Sequence, residues 1–371
     1  MSLYTIACPC LFGLESVLSG EIKRLGGQDV EVSDGRVVFK GGEKMIAKAN
    51  IFLRTAERVM IVAGSFRAES FSDLFDGVSS LRFEDYIGSR DAFPVKGWSI
   101  NSKLHSIPDC QSIIKKAVAK RLGGVYHQQW LAETGAVHQI QFTILRDIAT
   151  IMLDTTGTGL HKRGYRPTAN AAPIKETLAA GIADLARVKE NTLLIDPFCG
   201  SGTILIESAM KALKIPPGLR RRFASESWGL LDKESWAEVR REGFDAVIRN
   251  GAFSALGSDL SPEAAALARR NADAAGVGGK ISAVAADIRD FTPPDEPFVL
   301  ICNPPYGERM LELKEAEELY REMGRVFQPS EGRSYYIISP HEHFEKLFGR
   351  AASRRRKLYN GMIKCQLYMF Y

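Results

Sequence analysis

The sequence predicts an α/β protein: a mostly parallel sheet with helices on both faces in the C-terminal part, preceded by a part of mixed α+β texture. Three observations predict it. From about residue 165 onward, short apolar runs alternate with longer helical patterns. The first of these runs ends in an acid and a small-residue turn, DPFCGSGT, before a helix. Residues 1–155 mix short strand-like runs with two or three helices.

In chain order, the N-terminal part offers strands in RVVFK, RVMIVAG, GWSINSKL and HQIQFTILRDIATIMLDT. TTGTGLHKRGYRP, rich in Gly, Thr and basic residues, marks a boundary. Beyond it, strands are expected at residues 192–196, 253–259, 281–286, 298–303 and 334–339, with helices in the gaps. The clearest helix start is Ser261-Pro262-Glu263, which combines a capping hydroxyl, a proline at the first position and an acid in the first turn. Gly276 stops that helix. His341 and His343, in PHEHFEK, read as the first turn of a solvated helix. The final IKCQLYMFY reads as one more strand after Arg354-Arg355-Arg356-Lys357, and with no helix behind it an antiparallel edge position is expected.

At 371 residues the chain exceeds one ordinary core, so two or three domains are expected. Its 45% hydrophobic and 25% charged content is that of a globular protein. The N-terminus has no basic flank leading into a long apolar run, and no segment approaches bilayer length; the expectation is a cytoplasmic protein with no membrane partner. Cysteines at 8, 10, 110, 199, 302 and 365 show no paired CxxC spacing, and no HExxH occurs, so reduced thiols and no metal are expected. A net charge of +5 is compatible with a polyanionic partner without identifying one.

Within LLIDPFCGSGTILIESA, Gly200 and Gly202 let backbone approach a ligand closely. A dinucleotide fingerprint needs a third glycine where Leu205 stands, and no GK[ST] follows for a nucleotide P-loop. What remains is Asp196 on a strand end, suited to the ammonium of the amino-acid tail of S-adenosylmethionine. Asp259, ending the next strand, is placed to accept from ribose hydroxyls, and Asp287, in AADIRD, from the adenine amine. Acids also open such loops simply as helix caps, an alternative that stands above all for Asp287. Asp259 lies far downstream of the glycines because residues 215–252 are inserted.

The run LICNPPYGERM sets an amide, two prolines and an aromatic ring at a strand tip. If this strand lies beside the first one, its tip faces the cofactor's methyl group. Pro304 and Pro305 stiffen the loop and leave carbonyl oxygens as acceptors. Asn303 adds a side-chain oxygen, so an incoming amine can be held by two acceptors with its lone pair aimed at the sulfonium. Holding both hydrogens localises that lone pair and stabilises the charge developing on nitrogen. Tyr306 offers a stacking face, worth about 1–3 kcal/mol per base. The site reads as an amino-group methyltransferase that needs no metal or covalent nucleophile; a rigid structural turn is the alternative.

DPFCGSGT, NPPYGER and HKRGYRPTANAAPIKETLAA together resemble the bacterial THUMP-domain RNA guanine-N2 methyltransferases, nearest to the guanine-N2-modifying half of the bifunctional 23S rRNA methyltransferase. The resemblance covers nearly the whole chain. It implies a ferredoxin-like domain at 1–64, a THUMP RNA-binding domain at 65–155, a linker at 156–165, and a class I, Rossmann-like methyltransferase domain with a mostly parallel seven-stranded sheet at 166–371. It implies cofactor contacts from Asp196, Phe198, Gly200, Gly202, Thr203, Asp259, Asp287 and Asn303, and catalytic roles for Asn303, Pro304 and Tyr306. Segment 163–177, with Arg166 and Lys175, resembles the family's helix that closes over the cofactor. S-adenosyl-L-methionine is the implied cofactor; RNA is the implied partner, 23S rRNA first and tRNA as an alternative. Adenine N6, a protein glutamine amide, or a non-catalytic RNA-binding or ribosome-assembly role are the rival readings. The chain stops where the bifunctional relative continues, which implies a single activity.

Arg163, Arg166, Arg220, Arg221 and Arg309 are the cations expected on RNA. The runs His161–Arg166, Arg220–Phe223 and Arg354–Lys357 each set cations near an aromatic, which suits phosphates and bases, although a charge run also reads as a solvated face.

Overall fold

The computed structural model describes residues 3–166, 174–307 and 310–371, the side chains of residues 310 and 311 excepted. Arg309 and residues 167–173 of segment 163–177 lie outside the described residues.

The N-terminal part runs β1 (Tyr4–Pro9), α1 (Glu15–Leu25), β2 (Gln28–Ser33), β3 (Arg36–Gly41), α2 (Glu43–Phe52), β4 (Met60–Arg67), α3 (Phe71–Ser79), β5 (Val95–Ile100), α4 (Ile107–Tyr126), β6 (Ile140–Leu145) and β7 (Ile148–Asp154). These strands make one sheet in the order β2-β3-β1-β4-β7-β6-β5. β4 pairs antiparallel with both β1 and β7, so a single sheet runs through the ferredoxin-like and THUMP parts. Local chemistry explains the details. HQIQFTILRDIATIMLDT folds back on itself at Arg146 and Asp147, both at positive φ, the geometry of a two-residue hairpin turn. α3 starts with a capping box between Ser70 and Asp73.

The C-terminal part runs α5 (Glu176–Leu185), β8 (Leu193–Asp196), α6 (Thr203–Ala212), α7 (Lys233–Asp245), β9 (Ser254–Asp259), α8 (Pro262–Ala275), β10 (Ile281–Ala285), β11 (Phe298–Cys302), α9 (Met310–Val326), β12 (Arg333–Ser339), α10 (Phe344–Phe348), β13 (Arg354–Asn360) and β14 (Ile363–Phe370). Seven strands lie in the order β10-β9-β8-β11-β12-β14-β13. The first five are parallel and β14 is antiparallel to β12. Both faces are buried. Leu194 packs with Leu205 and Ala268 on one side, and Leu193 and Ile195 with Tyr320 and Phe327 on the other.

Two sequence expectations need correcting. The terminal strand β14 is antiparallel but internal; the edge is β13, formed by the Arg354–Lys357 run itself. Charged side chains on an edge strand block further pairing, which is why this basic run can end the sheet. His341 and His343 precede α10 rather than forming its first turn, and His341 packs edge-on to Tyr320.

The two parts interlock. The insertion turns away from its own sheet, and Leu219, Phe223, Trp228, Leu231, Trp236 and Val239 enter the N-terminal core. Trp228 stacks on His138 at 4.3 Å, and its indole N–H donates to the Val137 carbonyl at 3.0 Å. In return, Leu14 and Val17 enter the core of the C-terminal part, and Arg356 Nε donates to the Gly13 carbonyl at 2.7 Å. Residues 156–165, expected as a linker, form a packed seam in which Thr156, Leu160, Arg163 and Tyr165 are buried. There Arg163 Nε donates to Glu207 Oε1 at 3.3 Å, its Nη2 donates to the Arg54 carbonyl at 2.5 Å, and the Tyr165 hydroxyl donates to Glu207 Oε1 at 3.0 Å.

Among the described residues no helix is long and apolar enough to cross a membrane, and no His/Cys/Asp/Glu group could hold a metal ion. All six cysteines are buried free thiols.

Replacing Arg163 by Leu strands the Glu207 carboxylate in this seam. Breaking a buried pair in this way should cost about 3–5 kcal/mol, read as a lowered urea midpoint. A loss below about 1 kcal/mol would show that the seam does not hold the two parts together.

Candidate active site

Parallel strands put all their C-terminal ends on one edge of the sheet, and the strand order reverses between β8 and β11. Val299 pairs with Leu194 and Leu300 with Ile195, so Asp196 stands level with Ile301. Asn303 projects two residues, about 7 Å, beyond that level on the neighbouring strand.

From Asp196 the chain turns through Gly200 and Gly202 into α6. Gly200 has φ +51 with open space where a Cβ would stand; Gly202 has φ +80, and a Cβ there would come within 3.0 Å of Ala268 Cβ. Asp196 is 1% exposed. Its Oδ1 accepts the Phe198 N–H at 3.1 Å, while Oδ2 is buried without a partner among the described residues. Burial pushes this carboxyl from an ordinary 3.8 up to about 8; the Phe198 N–H opposes the shift and the charge of Asp259 adds to it. An orphaned carboxylate oxygen beside an open glycine turn fits the cationic end of a ligand, as the ammonium of S-adenosylmethionine would be.

Asp259 braces the turn: Oδ2 accepts the Gly200 N–H at 2.9 Å, and Oδ1 accepts the Ser261 N–H at 3.0 Å at the start of α8. Asp287 caps a short 3₁₀ turn, accepting the Arg289 N–H at 2.9 Å, so the capping alternative is realised there. The Arg289 guanidinium grips both its oxygens and holds its pKa near 2. Thr203 Oγ1, at the start of α6, accepts from Arg166 Nη1 at 2.8 Å. Phe198 is half-buried against the layer of Ile195 and Cys302.

At the other tip, Pro304 is buried and its carbonyl has no partner among the described residues, whereas the Pro305 carbonyl accepts the Tyr320 hydroxyl at 3.0 Å. The Tyr306 hydroxyl donates to Asn303 Oδ1 and accepts from Asn360 Nδ2 at 3.4 Å. Its ring packs against the layer that includes Ile301, Leu358 and Cys365. The expected free stacking face is therefore turned inward. A phenol buried on this side must find partners, and the nearest are Asn303 and Asn360.

Asn360 and Cys365 were not among the expected site residues, because they arrive on the β13–β14 hairpin. The signal was present. Asn360-Gly361 between alternating residues is a strong hairpin dipeptide, and Gly361 sits at φ +62.

The expected RNA-facing cations separate. Arg163 is buried in its pair with Glu207, so desolvation and pairing remove it from any RNA surface. Arg166 is tied to the Ile174 carbonyl, Thr203 and Glu176, bracing the glycine turn instead. Arg221 spends Nη1 and Nη2 on the carbonyls of Leu160 and Thr158, and burial lowers its pKa to about 10. Arg220 is exposed and has no partner among the described residues. Lys175 lies 3.4 Å from Glu57, linking the start of α5 to the N-terminal part.

Comparison with known proteins matches this architecture. An RlmL ferredoxin-like domain matches residues 5–60, a THUMP domain residues 68–154 and an RMKL-like methyltransferase domain residues 163–369. The chain is 39% identical to "Putative RNA methyltransferase YpsC" of Bacillus subtilis (strain 168), over 100% of this chain and 97% of the relative. It is 32% identical to "Ribosomal RNA large subunit methyltransferase K/L" of Psychromonas ingrahamii, over 97% of this chain but 49% of that one, so it spans about half the length of the K/L relatives. The crystal structure of "SMU.472, a putative methyltransferase complexed with SAH" superposes with a TM-score of 0.95 at 40% identity, covering 100% of this chain and 98% of that one.

The Asp196 pKa has a measurable sign. Because its folded value lies near 8, above the unfolded one, this group's stability contribution is complete below about pH 4 and is lost as pH rises through 8. Between pH 5 and 9 the ligand-free protein should lose more Tm than Asp196→Asn does. Equal losses would show that Oδ2 has a donor in solution.

Proposed function

This chain belongs to the RMKL-like methyltransferase family, and we propose that it methylates the exocyclic N2 amine of a guanine in structured RNA, 23S rRNA in the first place. Its coarse activity is that of an S-adenosylmethionine-dependent RNA methyltransferase, as the family, the THUMP domain and the relatives' names state. The observation that carries the finer chemistry is the pairing of β8 with β11, which sets Asp196 and Asn303 on adjacent strand tips. The choice of guanine N2 is supported by the DPFCGSGT and NPPYGER resemblance and by the match to the K/L relatives.

S-adenosylmethionine supplies an electrophilic methyl group on a sulfonium. Asp196 Oδ2 would take the ammonium of the cofactor, and Gly200 leaves room for it. Phe198 and Thr203 line the turn, Asp259 would offer its remaining lone pairs to ribose hydroxyls, and Asp287 would accept from the adenine amine in place of Arg289. Asn303 Oδ1 and the Pro304 carbonyl accept the two hydrogens of the guanine amine. To do so, Asn303 gives up the Tyr306 hydroxyl, which frees the acceptor, while Asn360 keeps the hydroxyl and the ring stays packed against Leu358 and Cys365. The two carbonyl dipoles stabilise the charge that develops on nitrogen, and the surplus proton leaves to solvent.

Incubation with labelled cofactor and rRNA, followed by digestion to nucleosides, should yield N2-methylguanosine. N6-methyladenosine, or label confined to protein, would overturn the reading. Asn303→Ala should lower kcat by about 10²–10³ with cofactor affinity preserved. Full turnover in that variant would refute the amine grip.

A further inference from the structure

The insertion carries two adjoining hollows that the catalytic reading leaves unused. One, of about 380 Å³, is lined by Arg220, Arg222, Lys233, Trp236 and Arg240 among others. The other, of about 550 Å³, is bordered by Arg220, Arg249 and Phe244, and the two share Leu219 and Arg220. They open beyond the C-terminal end of α6, where Met210 and Ile215 line the second hollow. That end is about 15 Å along the helix from the glycine turn.

Four cations here, Arg220, Arg222, Lys233 and Arg249, are exposed and have no partner among the described residues. The one acid lining the trough, Glu226, is neutralised by Arg240 at 2.8 Å. Trp236, 4% exposed and stacked on Phe223, forms the floor of the first hollow from the N-terminal core. At the far end Phe244 is 47% exposed, an aromatic face beside Arg220 and Arg249. Unpaired cations and an open ring match the chemistry of a phosphodiester backbone with an unstacked base. The trough is also fixed to the THUMP part, because Trp228 of the same insertion stacks on His138.

We propose that this trough binds a stretch of the substrate RNA's backbone away from the reacting amine. The inference rests on the reading of RNA as substrate and deepens it: specificity for a structured RNA then requires contacts on the insertion as well as on the THUMP part. A free mononucleotide presents the same phosphate chemistry, and the experiment separates the two.

The full chain and the triple variant Arg220→Ala/Arg222→Ala/Lys233→Ala are compared by salt titration of binding to an rRNA fragment, by steady-state kinetics and by cofactor titration. Arg249→Glu reports on the other end of the trough. The triple variant should flatten the log–log salt slope by about 2–3, weaken RNA binding at least about tenfold and raise KM, with kcat and cofactor affinity within about twofold. An unchanged slope and KM in both folded variants, with the wild type binding RNA normally, would overturn the proposal alone. So would uridine monophosphate binding that disappears in the triple variant while RNA binding stays intact, since the trough would then serve a small anion. If the wild type itself shows no salt-dependent RNA binding, the RNA-substrate reading falls as well.

Discussion

The parallel pairing of β8 with β11 is the constraint on which the site depends. It brings together two loops more than a hundred positions apart in sequence, one ending in a buried acid and the other in a stiff carbonyl-rich turn. Parallel pairing needs crossover helices on both faces, so the strands are buried on both sides and their tips inherit a dry setting. That setting is why Asp196 cannot ionise easily while its Oδ2 lacks a donor, and why a cation delivered there is held strongly.

Buried charge is used in two opposite ways. In the seam, Glu207 is surrounded by donors from Arg163 and Tyr165, and the group serves to join the two parts of the chain. At the strand tip, Asp196 is left one donor short. A satisfied buried pair contributes geometry, whereas an unsatisfied buried carboxylate carries a cost that a proton or a cationic ligand relieves.

The acceptor side shows the same economy in its resting form. Asn303 Oδ1 and the Tyr306 hydroxyl are held in a chain that runs on to Asn360, while the Pro304 carbonyl has no partner among the described residues. The hairpin supplying Asn360 is anchored to the N-terminal part by Arg356, which donates to the Gly13 carbonyl and the Ser16 hydroxyl, by the Phe12–Tyr359 edge contact and by Leu14 and Val17 in the same core as Leu358, so the tip is coupled to that part through packed surface as well as hydrogen bonds.

Much of this was legible in the sequence. Alternating apolar runs and helical patterns marked the parallel strands, the Ser261-Pro262-Glu263 start and Gly276 stop bounded α8 to the residue, and DPFCGSGT and NPPY identified both loops, because each depends on short-range chemistry: capping, proline geometry and positive φ. What the sequence could not assign was decided by distant partners. Arg163 and Arg166 look like surface cations until Glu207 and Glu176 are folded beside them. Tyr306 looks like an open ring until β14 arrives beneath it, and the Arg354–Lys357 run looks like a loose charged face until it closes the sheet edge. The identity of a site residue is local, but its burial and its hydrogen-bond partners are properties of the assembled chain, and those two quantities determine whether a charge binds a ligand or binds the protein to itself.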